Sequence, residues 1–199
     1  RAPRLPRHAF LSFDLAFPLP GGVVAAKKVA SGLIDGFPAS DQLYLVTFDS
    51  QHGMDQQLGP VRDRVGRHVL RERIEGLQPN VERLRRRVDL PSVAGIGNRS
   101  DGGLMSDTYN AGHNLALGEY AAQGAALADG LRSFATFLRQ LPGPKVLLFF
   151  SQGIDSDIYG GQYAASKGRD RHGNLRSAFE PALHGLAETG AMVLFVDPL

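Results

Sequence analysis

The chain contains few residues that could do chemistry, and none of them forms a common catalytic pattern. Its 199 residues include no cysteine, which excludes a thiolate zinc site, an iron–sulfur cluster, a disulfide framework and a cysteine nucleophile. The six histidines show no metal-ligand spacing. The sequence also lacks a nucleophile elbow, a P-loop, a His-Glu-x-x-His pair and a complete G-x-G-x-x-G motif. Carboxylates, hydroxyls and tyrosines between apolar segments remain, so we expect a protein that is not an enzyme.

Apolar segments that alternate with helical patterns must position those side chains. The apolar runs predict strands at 8–17, 42–49, 145–151 and 191–196, with a short edge strand at 56–60. After a chain break at Pro20-Gly21-Gly22, apolar spacing predicts helices at 23–37, 61–77, 120–141 and, behind a Ser177–Glu180 capping box, 177–186. This alternation predicts an α/β fold: a three-layer, doubly wound (Rossmann-like), mainly parallel sheet.

In such sheets, ligands bind beyond the carboxyl ends of the strands, where the strand order reverses. The loops of interest are those that follow Asp14, Asp49, Ser151 and Val196. The loop over 152–176 is long and polar, and loops on a rigid sheet often carry binding. Its Tyr159 and Tyr163 are candidates for contact with another protein, because tyrosine offers rigid apolar area with one polar tip. Packing of these tyrosines over their own loop is an equally open interpretation.

The order of these segments resembles that of a von Willebrand factor A (VWFA) domain. A strand ending in Asp14, a helix and a strand with LVTFD open the chain, and LPGPKVLLFFSQGID and AMVLFVDP continue the likeness to Leu199. These segments and their order are similar to those of the bacterial VWFA-related (acidobacterial-type) branch. The resemblance implies a single VWFA-like domain over 1–199, with 1–7 as an N-terminal extension. Because the family fold adds a strand and a helix after the segment ending in Val196, we also expect an incomplete C-terminal end.

The chain departs from the family in its metal-binding motif. Metal-binding members carry Asp-x-Ser-x-Ser after the first strand, and those oxygens hold Mg²⁺. In this chain Asp14 matches the acid, Ala16 and Pro18 occupy the serine positions, and Gln152 occupies the position of the family's second acid. Thr108 is the nearest match for the family's threonine. We therefore expect a degenerate metal-ion-dependent adhesion site that holds no metal, and no cofactor.

A displaced magnesium site is the open alternative. Asp155 and Asp157 lie in the loop after the third predicted strand, and with Asp14 and Ser106 or Thr108 they could supply oxygens to Mg²⁺. Loop aspartates also cap turns without binding any ion.

The sequence thus predicts a noncatalytic protein–protein interaction or scaffold module. The resemblance to this family implies a subunit or accessory domain of a larger bacterial assembly that is periplasmic, secreted or membrane-associated. Its candidate partner-binding residues are Gln152, Asp155, Asp157, Tyr159 and Tyr163. The alternative is a metal-dependent adhesion domain that uses the displaced site. The absent motifs disfavour a third class, a hydrolase or nucleotide-binding enzyme, and fold alone does not give function.

Charge is uneven along the chain although the net charge is only +2. Nine arginines and four acids lie between Val61 and Val88. Such a stretch can attract phosphate or anionic lipid, but we expect a solvated helix surface. No nucleic-acid motif is present, and no apolar run reaches the roughly 20 residues of a membrane span.

Overall fold

The computed structural model describes residues 5–17, 20–49, 53–78, 103–153 and 175–197, with the backbone alone described over 103–120. The described elements are β1 (His8–Asp14), α1 (Pro20–Ile34), β2 (Gln42–Asp49), β3 (Gly53–Val61), α2 (Arg64–Gly76), α3 (Gly103–Gln140), β4 (Lys145–Phe150), α4 (Leu175–Glu188) and β5 (Met192–Val196). The strands form one five-stranded sheet in the order β3-β2-β1-β4-β5. Strand β3 is antiparallel to β2, and the other neighbours are parallel. The predicted α/β fold is confirmed, with a mixed sheet.

Two hydrophobic clusters cover the two faces of the sheet, because successive side chains of a strand point to opposite faces. On one face, Phe10 and Phe149 pack with residues of α3 and α4. On the other, Leu11 and Leu45 pack with residues of α1 and α2. The central strands are therefore buried on both sides, which explains their nearly continuous apolar sequences.

The strand predictions are confirmed with altered ends. The bounds of β2 are those expected, whereas β1 stops at Asp14 rather than Phe17. It stops there because the Asp14 carboxylate accepts the backbone N–H groups of Ala16 and Phe17 and turns the chain. The predicted edge strand at 56–60 is longer, Gly53–Val61, because pairing with β2 extends through both of its ends.

The buried stripe of α1 differs from the sequence pattern at its C-terminal end. Ile34 is fully buried, whereas Leu33 is partly exposed, and the helix ends before Phe37. Ile34 follows the buried Ala30 by four residues, and Leu33 is rotated about 100° from Ile34 around the helix axis.

Helix α2 begins three residues later than the pattern suggests. Asp63 is its N-cap, and the Asp63 side chain accepts the Gly66 N–H at 2.7 Å. Val65 therefore lies in the first turn and is 73% exposed. Leu70 and Ile74 are the buried residues of this helix.

Arg67 of α2 closes the C-terminal end of α1. Its guanidinium donates to the carbonyl oxygens of Ile34 at 3.0 Å and of Phe37 and Pro38 at 2.7 Å each. Carbonyls at a helix end lack intrahelical partners. We expect Arg67→Ala to lower the free energy of unfolding in urea by about 1.5 kcal/mol. Arg73→Ala on the same helix is the control, and a loss for Arg67→Ala no larger than the control's would contradict the capping role.

Helix α3 is the longest element and begins well before the prediction. Its apolar face, which includes Leu127, Leu131 and Phe134, is buried against the sheet. It starts at Gly103 instead of residue 120. The missed part includes Asn110 and Gly112, weak helix formers that hide a helix from sequence patterns.

Helix α4 corrects the predicted capping box. The helix starts at Leu175, so Ser177 and Glu180 both lie inside it, and Glu180 accepts a hydrogen bond from Arg176 at 2.7 Å. The capping-box prediction is wrong. Leu183 is partly exposed, and the buried positions are Leu175, Phe179, Ala182 and Leu186. In the described part of the chain, none of the helices is long and apolar enough to cross a membrane.

Ser12 is a polar residue in the middle of β1. Its side chain is fully buried, and its hydroxyl has no hydrogen-bond partner among the described residues. Since a desolvated and unpaired hydroxyl destabilises the folded state, we expect Ser12→Ala to raise the free energy of unfolding by about 1 kcal/mol. The matched control is Thr47→Ala, which removes a hydroxyl that accepts a hydrogen bond from Gln57 and should lower that free energy. A loss of stability in Ser12→Ala would show that the hydroxyl is satisfied.

Candidate functional site

The strand order reverses between β1 and β4. From β1 the chain builds outward to β2 and β3, and then returns to the other side of β1 to form β4 and β5. Asp14 is the last residue of β1, and Ser151 directly follows β4. Both therefore lie at the carboxyl edge of the sheet, where open α/β sheets bind ligands. We call Asp14, Ser151, Gln152 and Gly22 the carboxyl-edge site.

Ser151 links the ends of three strands. Its hydroxyl donates to Asp14 Oδ2 at 2.6 Å and accepts the Gly153 N–H at 3.0 Å. Its backbone N–H donates to the carbonyl oxygen of Val196 at 3.3 Å, at the end of β5. This one residue thus ties the ends of β1, β4 and β5 together.

Asp14 organises the chain that follows β1. Its Oδ1 accepts the backbone N–H groups of Ala16 at 2.9 Å and Phe17 at 3.1 Å. With Oδ2 bonded to Ser151, both carboxylate oxygens have partners within the protein, and the residue is only 2% exposed. The adjacent Leu15 N–H donates to the Phe48 carbonyl at 2.8 Å, which ties this turn to β2.

Burial dominates the electrostatics of Asp14. It raises the pKa of the carboxyl from 3.8 to about 6, because desolvation disfavours the charged form. The hydrogen bonds from Ser151, Phe17 and Ala16 lower the pKa but do not offset the burial. Asp14 is therefore ionised at neutral pH and gains a proton in mildly acidic solution.

Gln152 lies against the first turn of α1. A Cβ atom added to Gly22 would come within 2.7 Å of the Gln152 Cδ and Oε1 atoms. The glycine therefore leaves the space that this amide occupies. Gly22 is not among the predicted site residues, because Pro20-Gly21-Gly22 indicates a chain break, whereas α1 begins at Pro20. A proline that opens a helix was the available signal.

The structure brings together only some of the predicted site residues. Asp14 and Gln152 both lie at the carboxyl edge, and Ala16 contributes only its backbone N–H. The others lie outside what the structure describes: Pro18, the side chains of Ser106 and Thr108, Asp155, Asp157, Tyr159 and Tyr163. The displaced metal site and the tyrosine surface therefore stay predictions. Among the described side chains, no group of three or more His, Cys, Asp or Glu residues could hold a metal ion.

The geometry at Asp14 and Ser151 suits a structural link better than catalysis. A nucleophilic serine needs a base that takes its proton and an open approach for the substrate. The carboxylate beside Ser151 is buried, and two backbone N–H groups already hold its other oxygen.

Part of the arginine-rich segment binds groups of the protein itself. The Arg67 guanidinium donates hydrogen bonds to carbonyl oxygens at the end of α1, and Arg71 forms an ion pair with Asp35 in the same region. Lys27 of α1 donates to the Glu75 carbonyl at 2.7 Å. These contacts join α1 to α2, so Arg67 and Arg71 depart from the expected solvated surface. Residues 79–88 lie outside the described part.

Comparison with known proteins adds no relative. A scan of the sequence against protein-family models matches none of them, and a search of curated proteins finds no match either. The VWFA resemblance therefore stays a prediction from segment order and from the quoted motifs.

Proposed function

We propose that this chain is a noncatalytic protein–protein interaction module with a VWFA-like, doubly wound arrangement. Two features support the arrangement: hydrophobic clusters cover both faces of the sheet, and the strand order reverses beside β1. The module would hold its partner with the loops at the carboxyl edge and would use no metal ion.

The hydrogen bonds that Asp14 accepts are the observation that supports the proposal most directly. In a metal-dependent adhesion site, the acid after the first strand must offer an oxygen to the ion. Here Oδ2 accepts a hydrogen bond from the Ser151 hydroxyl, and Oδ1 accepts hydrogen bonds from two backbone N–H groups. A cation at Oδ2 would compete with the Ser151 hydroxyl, and a cation at Oδ1 would compete with the two N–H groups of the turn after β1. The same bonds fix the bases of the loops, and rigid loop bases favour binding without a large ordering cost.

The length of α3 favours a scaffold role. Its 38 residues extend for about 57 Å, against about 26 Å for the eight residues of β2. Because α3 is followed by the start of β4, its C-terminal end lies at the amino edge of the sheet. Its N-terminal half therefore points towards the carboxyl edge. A long helix beside the binding loops provides a surface that a second protein can follow.

The place of this module in the cell follows from the resemblance alone. We propose a subunit or accessory domain of a larger bacterial assembly that is periplasmic, secreted or membrane-associated.

Divalent cations should leave the protein unchanged. We expect the melting temperature to differ by less than about 1 °C between about 5 mM Mg²⁺, Mn²⁺ or Ca²⁺ and an excess of chelator, because no ion binds the folded state. A rise of several degrees that Asp14→Ala abolishes would overturn this part of the proposal. It would favour the alternative, metal-dependent adhesion through Asp14, Asp155 and Asp157, which Asp155→Asn and Asp157→Asn would then test one at a time.

Photocrosslinking in native extract tests the interaction itself. A photoreactive phenylalanine analogue replaces Tyr159 or Tyr163, and the control carries it at Val65, which is exposed on α2. We expect one defined protein to crosslink at the tyrosine positions and not at Val65. If no protein crosslinks at either tyrosine, and the chain turns over an ester or nucleotide substrate, the enzyme hypothesis replaces this one.

A further inference from the structure

The first turn of α1 contains two neighbouring glycines with different surroundings. A Cβ atom added to Gly22 would lie 2.7 Å from the Cδ and Oε1 atoms of Gln152 and 3.1 Å from its Nε2 atom. A Cβ atom added to Gly21 would have no atom of the described residues within 4 Å, beyond its chain neighbours and its own helix backbone. Neither glycine has a positive φ, so both positions accept other L-amino acids without backbone strain. Gly22 therefore matters for the space that it leaves and not for its backbone conformation.

Helix α1 is fixed on two sides, so it does not move readily to make room at Gly22. Ala30 and Ile34 belong to the hydrophobic cluster that α1 and α2 share with the sheet. Lys27 donates to a carbonyl oxygen near the end of α2 at 2.7 Å. Arg67 of α2 donates to the Ile34 carbonyl at 3.0 Å. A shift of the helix would break these bonds and disturb a closely packed core.

The atoms of Gln152 that face Gly22 belong to the far end of a flexible side chain. They can turn to another staggered rotamer at low cost. The backbone on either side is more constrained, because the Ser151 hydroxyl donates to Asp14 Oδ2 at 2.6 Å. Gly153 has a φ of 81°, a left-handed conformation that favours glycine. The substitution Gly22→Ala therefore displaces the Gln152 amide and leaves the rest of the carboxyl edge in place.

We propose that Gly22 positions the side-chain amide of Gln152 for contact with the partner protein. This inference rests on the proposed function, in which Gln152 is a predicted partner-binding residue. Without a side chain at Gly22, the amide lies against the first turn of α1, next to the residue that joins β4 to β1. An amide offers a donor and an acceptor in one plane, and a preorganised amide forms its bonds at a smaller ordering cost. Gly22 acts through Gln152 and is thus a positioning residue.

Nuclear magnetic resonance of the isotope-labelled chain tests the positioning step. We expect the side-chain amide resonances of Gln152 to shift in Gly22→Ala and to keep their wild-type positions in Gly21→Ala. Gly21→Ala is the matched control, because it adds the same methyl group one residue away in the same helical turn. The melting temperature of Gly22→Ala should be no lower than that of the wild type, because alanine favours a helix over glycine.

Photocrosslinking in native extract tests the partner step, with the photoreactive analogue at Tyr159 in every variant. We expect Gly22→Ala to lower the yield of the crosslinked protein about fivefold, as one lost hydrogen bond would, and Gly21→Ala to leave it unchanged. Gln152→Ala should lower the yield by the same factor. The double variant Gly22→Ala with Gln152→Ala should lower it no further, because the first substitution acts only through the Gln152 amide.

The outcomes separate a failure of this inference from a failure of the proposed function. If the wild type crosslinks to no protein, the proposed function is wrong, and the partner step is wrong with it. If the wild type crosslinks, an unchanged yield in Gly22→Ala or an additive loss in the double variant overturns the inference alone. Equal shifts of the Gln152 amide in both glycine variants, or a melting temperature lowered by several degrees in Gly22→Ala only, overturn the positioning step.

Discussion

Replacing Asp14 by alanine is expected to lower the free energy of unfolding by about 3 kcal/mol at about pH 5. The substitution removes the acceptor of the Ala16 and Phe17 N–H groups and the partner of the Ser151 hydroxyl. The site is buried, so water does not replace these partners freely. Each donor that loses its acceptor stays desolvated in the folded variant, and no hydrogen bond offsets that cost. Urea denaturation of both proteins measures the loss.

Asp14→Asn is the matched control for this loss. An asparagine keeps an oxygen for the two N–H groups, and its amide can donate to the Ser151 hydroxyl, which can act as donor or acceptor. We expect the asparagine variant to lie within about 1 kcal/mol of the wild type at about pH 5. If asparagine is as damaging as alanine, the geometry of the carboxyl group matters beyond its hydrogen bonds. If alanine costs less than about 1 kcal/mol, the link is not a structural one.

The sequence predicts the central sheet well because burial on both faces leaves a strong signal. The predicted bounds of β2 are those of the structure, and the sequence predicts that Asp14 lies at the carboxyl edge. Both follow from local composition, since an apolar run that ends in one acid has few structural interpretations. The α/β class follows from the alternation of such runs with helical spacing.

Other features depend on contacts that one chain segment does not reveal. The exposure of Val65 follows from the Asp63 cap, which shifts the start of α2, and the bonding of Arg67 depends on the end of α1. The link from Asp14 to Ser151 joins residues 137 positions apart. Gly22 was missed because its role depends on a side chain brought next to it by the fold.

Acidification is expected to stabilise the wild type relative to Asp14→Asn, by about 2 kcal/mol between pH 7.5 and 4.5. The pKa of Asp14 is about 6 in the folded protein, against 3.8 for an ordinary aspartate. Between these values the folded state holds a proton that the unfolded state has lost. The contribution is therefore fully present below about pH 3.8 and is lost as the pH rises through 6. Each unit of pKa difference corresponds to about 1.4 kcal/mol, so the limit is about 3 kcal/mol.

The comparison with asparagine isolates this effect, because every other titrating group is common to both proteins. Urea denaturation at four pH values gives the difference in unfolding free energy as a function of pH. A flat difference would mean that the hydrogen bonds hold the pKa of Asp14 at its ordinary value. A difference of opposite slope would mean that they hold it lower, and that the carboxyl-edge site favours a buried negative charge. The expected slope instead means that ionised Asp14 is costly at neutral pH, as for a carboxylate that its own chain surrounds and that no cation neutralises.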